Sequence, residues 1–169
     1  KVNSESGVID GTFSAIYGWN ADGSGYTPYN HTSGSVYLAP GQGFFVAAAS
    51  TSSSDLSFTE AMQTVTGGDD FVAGRMANTS SAFHLKLYED EDFIADTKFY
   101  FDSNLTLGLD PGYDAGAFDQ TMALMSRLIE DDQGVGMRIN AMGQNSLNES
   151  TIIPLVVNQS ADAAFRISL

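Results

Sequence analysis

The chain has 169 residues, with 21 acids against 7 bases, a net charge of −14 and no cysteine. That length fits one domain with a real core, and the absence of cysteine excludes thiol catalysis, disulfide scaffolding and thiolate zinc sites. So acidic a surface repels phosphate backbones and anionic lipid, which argues against nucleic-acid partners, and no apolar run reaches the roughly 18 residues of a membrane span.

Strand candidates recur at short spacing, separated by turn residues. Phe13–Trp19 comes first. Val36–Ala39 and Gly43–Ala49 flank the Pro40-Gly41-Gln42-Gly43 turn, where proline fixes φ and the glycines tolerate positive φ. Leu56–Thr59 alternates after a Ser/Thr stretch. Ala82–Tyr88 and Lys98–Asp102 alternate with period two, Phe99 and Phe101 sharing one face of the latter. Met122–Ile129 fits one or two helical turns or a strand. Gly136–Ala141, Ile152–Val157 and Ala164–Leu169 complete the series. The acidic runs Glu89–Asp92 and Glu130–Asp132 lie between strands and read as loop tips. No segment carries a long helical period.

This pattern predicts an all-β protein, a two-sheet antiparallel β-sandwich of jelly-roll-like or Ig-like type, formed by residues 1–169 as a single domain. The expected core comprises Phe44, Val46, Phe58, Leu85, Leu87, Phe99, Phe101, Ile139 and Leu155.

Few residues bring chemistry with them. There are two histidines, His31 in a loop and His84 in a strand. There is no serine-hydrolase elbow, no P-loop and no dinucleotide motif. The acids cluster in loops rather than as a facing pair, so glycosidase chemistry has little support. The chain is therefore expected not to be an enzyme.

Calcium is the metal that the loops suit, since it wants several oxygens on a bent segment. Asp110 and Asp114 bracket a Pro-Gly turn and are the candidate metal residues; the alternative is that they bond local N–H groups. Asn20–Gly25 resembles the first half of an EF-hand loop, but His31 stands where the closing glutamate belongs. Trp19, Tyr26 and Tyr29 surround the same Gly-rich loop and are candidate ligand-binding residues, because sugar sites use aromatic faces; the alternative buries them as strand-end packing. Five Asn-x-Ser/Thr sequons begin at Asn30, Asn78, Asn104, Asn148 and Asn158, and composition accounts for them.

An ordered series of short motifs resembles a known family. It runs Ile16-Tyr17-Gly18-Trp19-Asn20, Gly25-Tyr26-Thr27-Pro28-Tyr29-Asn30, Leu38-Ala39-Pro40-Gly41-Gln42-Gly43-Phe44-Phe45-Val46, Leu56–Met62, Phe83–Leu87, Gly108–Ala115 and Ile153-Pro154-Leu155. It is similar to a β-domain of large secreted Bacteroidetes proteins, especially flavobacterial ones, which commonly precedes the C-terminal sorting domain of the type IX secretion system. The usual upstream Asn-Pro-Tyr segment and the sorting domain itself have no match, so the chain is expected to be a piece of a longer protein. The resemblance implies a secreted or cell-surface location and a non-catalytic, accessory or adhesive role. The expected partners are neighbouring domains of the parent protein, with an extracellular polysaccharide as the alternative ligand, no nucleic acid and no membrane insertion.

Overall fold

The computed structural model describes residues 8–20, 25–50, 55–65, 81–148, 150–159 and 164–169. The described residues are β-rich, with short 3-10 turns and no α-helix. β1 (Ile16–Trp19) and β2 (Tyr26–Tyr29) form an antiparallel hairpin. The remaining strands form one curled, mixed seven-stranded sheet. They are β3 (Ser81–Glu89), β4 (Asp92–Asp102), β5 (Ala115–Gly116), β6 (Leu124–Ser126), β7 (Met137–Gly143), β8 (Leu155–Val157) and β9 (Phe165–Ser168). The order across the sheet is β8-β6-β7-β4-β3-β9, with β5 also paired to β7.

The all-β expectation holds. The expected two stacked antiparallel sheets do not appear as such, because β4 and β7 run parallel at the sheet centre. A parallel neighbour needs a long crossover. Residues 103–136 supply it, and β5 and β6 lie within that crossover. Period-two alternation reads equally well in either direction, so the sequence pattern does not reveal the parallel pair.

The acidic tip behaves as its position suggests. Glu89 pairs with Asp92, and Asp90 takes a left-handed φ of 51° between them. Aspartate tolerates that conformation better than most residues. Two further tips, at Asp131 (φ 50°) and Gly134 (φ 82°), turn the chain before β7.

The sheet buries both of its faces at β4. On one face Phe99 and Phe101 pack with Met142, and Phe83 stacks on Phe99 at 4.7 Å. Leu87, Ala95 and Leu124 extend that face. The other face carries Tyr100, Ile139 and Ala141, covered by Tyr17 and Ala15 from the hairpin region. The Tyr17 hydroxyl donates to the Gly116 carbonyl at 2.9 Å, and burial drives its pKa far above the usual phenol value. Two polar side chains beneath the sheet are partnered by backbone carbonyls. Thr97 Oγ1 donates to the Met137 carbonyl at 3.1 Å, and Asn140 Nδ2 to the Arg127 carbonyl at 2.9 Å.

Four expected core residues, Leu87, Phe99, Phe101 and Ile139, are buried. Leu85, Phe44 and Val46 are half-buried. Phe58 and Leu155 are corrections. Leu56–Thr59 joins no sheet, leaving Phe58 59% exposed, and β8 is an outer edge strand, leaving Leu155 exposed. Val36–Ala39 is likewise not a strand. In the Gly43–Ala49 segment only Phe45 and Ala48 form bridges, to Tyr17 and Ile9. Met122–Ile129 resolves as a strand, β6, and β2 is an addition that proline at position 28 obscured.

A candidate binding cleft and a closed carboxylate loop

The hairpin register sorts the aromatic candidates. Trp19 lies opposite Tyr26, Tyr17 opposite Pro28, and Ile16 opposite Tyr29. Opposed residues share a face, and successive residues alternate. Trp19, Tyr26 and Tyr17 therefore sit on one face and Tyr29 on the other. The structure brings Trp19 and Tyr26 together and separates Tyr29 from them.

Trp19 is 51% exposed and meets the half-buried Tyr26 edge to face at 4.9 Å. Tyr26 contacts Phe45 at 5.4 Å and Phe118 at 5.8 Å, and Phe118 stacks on Tyr17 at 3.7 Å. Phe45 is itself 54% exposed. Pairing of Phe45 with Tyr17 through two 2.9 Å backbone bonds places it on the same face. Gly25 ends the loop at φ 121° and accepts from Asn20 N–H at 2.9 Å, a conformation that an L side chain rarely adopts. The EF-hand-like reading of this loop falls on residues 21–24, which lie outside the described residues.

Between hairpin and sheet these rings border a cleft of about 190 Å³, lined by Tyr17, Trp19, Gly25, Tyr26, Phe118, Asp119, Met122 and Arg138. Arg138 comes from β7. It is buried, and its Nη2 donates to Asp96 at 2.7 Å. Nη1 faces only the Met122 sulfur at 3.4 Å, and the buried Nε has no hydrogen-bond partner. A guanidinium offers five N–H donors and a thioether is a weak acceptor, so this cation is under-satisfied. Its signal in the sequence is a lone charge inside the apolar run Gly136–Met142. Asp119 is exposed, with Oδ1 accepting from Thr121 N–H at 2.8 Å and from its hydroxyl at 2.6 Å; these bonds hold its pKa below the usual carboxylate value.

The second candidate is built differently. Asp114 is fully buried. Its Oδ1 accepts from Ala141 N–H at 2.7 Å and its Oδ2 from Asp110 N–H at 2.6 Å. Burial pushes its pKa up to about 7, against the opposing pull of those two bonds. Asp110 Oδ2 accepts from Thr106 N–H at 2.7 Å and from its hydroxyl at 3.1 Å. Gly112, at φ 88°, closes the turn, and its carbonyl accepts from His31 N–H at 2.9 Å. The carboxylates thus stitch the 106–114 loop to β7. Among the described residues no group of three or more His, Asp or Glu is arranged to hold a metal ion.

The other flagged residues are structural neighbours. His84 lies opposite Lys98 on β3, and burial followed by the Lys98 charge lowers its pKa. Asn30 is buried, caps the His31–Ser33 turn and donates through its amide to the Tyr113 carbonyl. Its sequon is closed to a glycan in the folded state. Asn104 and Asn158 are exposed. Asn78 and the Asn148 side chain lie outside the described residues.

A family model described as a domain of unknown function (DUF8693) matches residues 3–169. The chain belongs to that family. No curated protein and no solved structure matched it. Membership spans the strands that build the cleft and the 106–114 loop alike.

Proposed function

We propose that the chain is a non-catalytic, adhesive accessory module of a secreted or surface-attached bacterial protein, and that its cleft binds an extracellular polysaccharide. The observation that carries this reading is the Trp19–Tyr26 pair, half in solvent beside a cleft of about 190 Å³. Exposed aromatic faces next to polar donors and acceptors are the kind of surface on which a sugar ring can stack while its hydroxyls are hydrogen-bonded. The cleft has room for about one sugar ring, with Asp119 and Arg138 supplying an acceptor and donors. The resemblance to secreted flavobacterial β-domains supports the location. The fold suits the role as an opened, jelly-roll-like sandwich, with the hairpin and the 43–49 segment serving as a partial second layer over the curled sheet.

Affinity per module should be modest, since one or two stacked rings must offset the ordering cost of association. Retention on immobilised polysaccharides tests the reading. Trp19→Ala should lose retention while keeping the far-UV circular dichroism of the parent and melting only about 2–4 °C lower. Retention unchanged in Trp19→Ala would overturn it.

A further inference from the structure

The chain has only seven bases, and their placement is uneven. Lys1 and Arg75 lie outside the described residues, and Arg127 pairs with Asp132 at 2.9 Å. The other four gather on one face of the sheet. His84 opposes Lys98, and Lys86 opposes Asp96, across β3 and β4. Tyr88, two residues on from Lys86, opposes Arg166 of β9, whose guanidinium lies 4.4 Å from the Tyr88 ring centre. Arg138 joins from β7 through Asp96, and Lys98 lies within electrostatic range of both. The result is a basic strip, Arg166-Lys86-Lys98-Arg138, with Asp96 as the carboxylate paired into it. It leads into the cleft at Arg138, the guanidinium whose Nε lacks an acceptor.

A buried, under-satisfied guanidinium at the end of such a strip is a device for an anion. Screening over about 8 Å at physiological salt lets this local field act even though the whole chain is acidic. We propose that the cleft takes an acidic sugar, with the ring against Trp19 and Tyr26, the carboxylate or sulfate on Arg138, and the flanking residues of the glycan along Lys98 and Lys86. Asp96 holds the guanidinium in place and cancels one of the strip's four positive charges, leaving the strip net basic. Asp119 at the rim accepts from a ring hydroxyl. The inference rests on the polysaccharide reading above and adds the charge of the ligand to it.

The test is a Trp19 fluorescence titration with three oligosaccharide probes at one ionic strength: oligoguluronate for carboxylate, sulfated dextran oligomers for sulfate, and neutral dextran oligomers. Trp19 is the only tryptophan, so the emission reports this site. At least one anionic probe should bind about tenfold or more tightly than the neutral one, and NaCl should weaken it. The preferred anionic probe names the acid group. Removing Arg138 would strand Asp96 and endanger the fold, so Lys86→Gln serves as the charge variant; it should weaken anionic binding several-fold more than it weakens neutral binding. Equal binding of neutral and anionic probes overturns this inference and leaves the polysaccharide reading standing. Silence of all three probes overturns both. Anionic binding that survives Trp19→Ala, read by isothermal titration calorimetry because that variant has no tryptophan, puts the anion elsewhere and overturns the inference.

Discussion

The 106–114 loop and the aromatic cleft both set charged groups against β7, with opposite bookkeeping. In the loop every Asp114 oxygen meets a backbone N–H within 2.7 Å, and the group is sealed from solvent. In the cleft Arg138 has one strong partner, one sulfur and one bare Nε. A polar group whose bonds are filled by its own backbone is holding the fold. One left short, beside exposed rings, has donors still open to an outside acceptor, which is the basis of the binding proposal. The difference separates a carboxylate that holds its loop from the cation proposed to meet a ligand; the sequence reading singles out Asp114 and passes over Arg138.

The largest expected effect lies in the loop. Asp114→Ala strands the Ala141 and Asp110 N–H groups, and at about 1–3 kcal/mol for each unsatisfied buried donor it should cost about 2–5 kcal/mol in urea unfolding. Binding of oligosaccharide by whatever protein remains folded should be unchanged. A loss under 1 kcal/mol would break the structural half of the comparison.

Titration sharpens the same point. The folded pKa of Asp114 stands at about 7, above its ordinary 3.8. The folded state therefore holds a proton there that the unfolded chain has released. The stability this contributes is full below about pH 3.8 and is lost as pH rises through about 7. Asp114→Asn should remove that part of the pH dependence. Parallel stability–pH curves for the two proteins between pH 4 and 7.5 would refute the shift.

Trp19→Ala is the counterpart in the cleft. Half its surface is already in solvent and its main ring contact is Tyr26, so the stability cost should stay near 1 kcal/mol while glycan retention disappears. If the domain unfolds instead, Trp19 belongs to the core and the contrast between the two regions fails.

The smallest effect concerns cations. With both Asp114 oxygens occupied by N–H donors, calcium should raise the melting temperature no more than NaCl at matched ionic strength, both acting by screening the −14 charge. A calcium-specific rise at millimolar concentration would reopen the loop as a metal site.

Local chemistry in the sequence determined the longest strands, β3 and β4, and several of the tips. Alternation in Phe83–Tyr88 and Lys98–Asp102, and the turn propensity of Asp90 and Gly112, are properties of neighbouring residues and survive any tertiary arrangement. So did the singling out of Trp19 and Tyr26, since a lone tryptophan beside a Gly-rich loop is visible in one dimension. Tertiary structure alone decided the parallel β4–β7 pair, because alternation carries no direction. It also decided that Tyr29 points away from Trp19, because β2, with Pro28 inside it, did not read as a strand and its register was therefore hidden. The basic strip is the clearest case. Its four residues are scattered from position 86 to 166, and only pairing of β3, β4, β7 and β9 sets them side by side. Proximity between distant residues is what folding creates, so the strip that motivates an anionic ligand is a property of the sheet and not of any stretch of the chain.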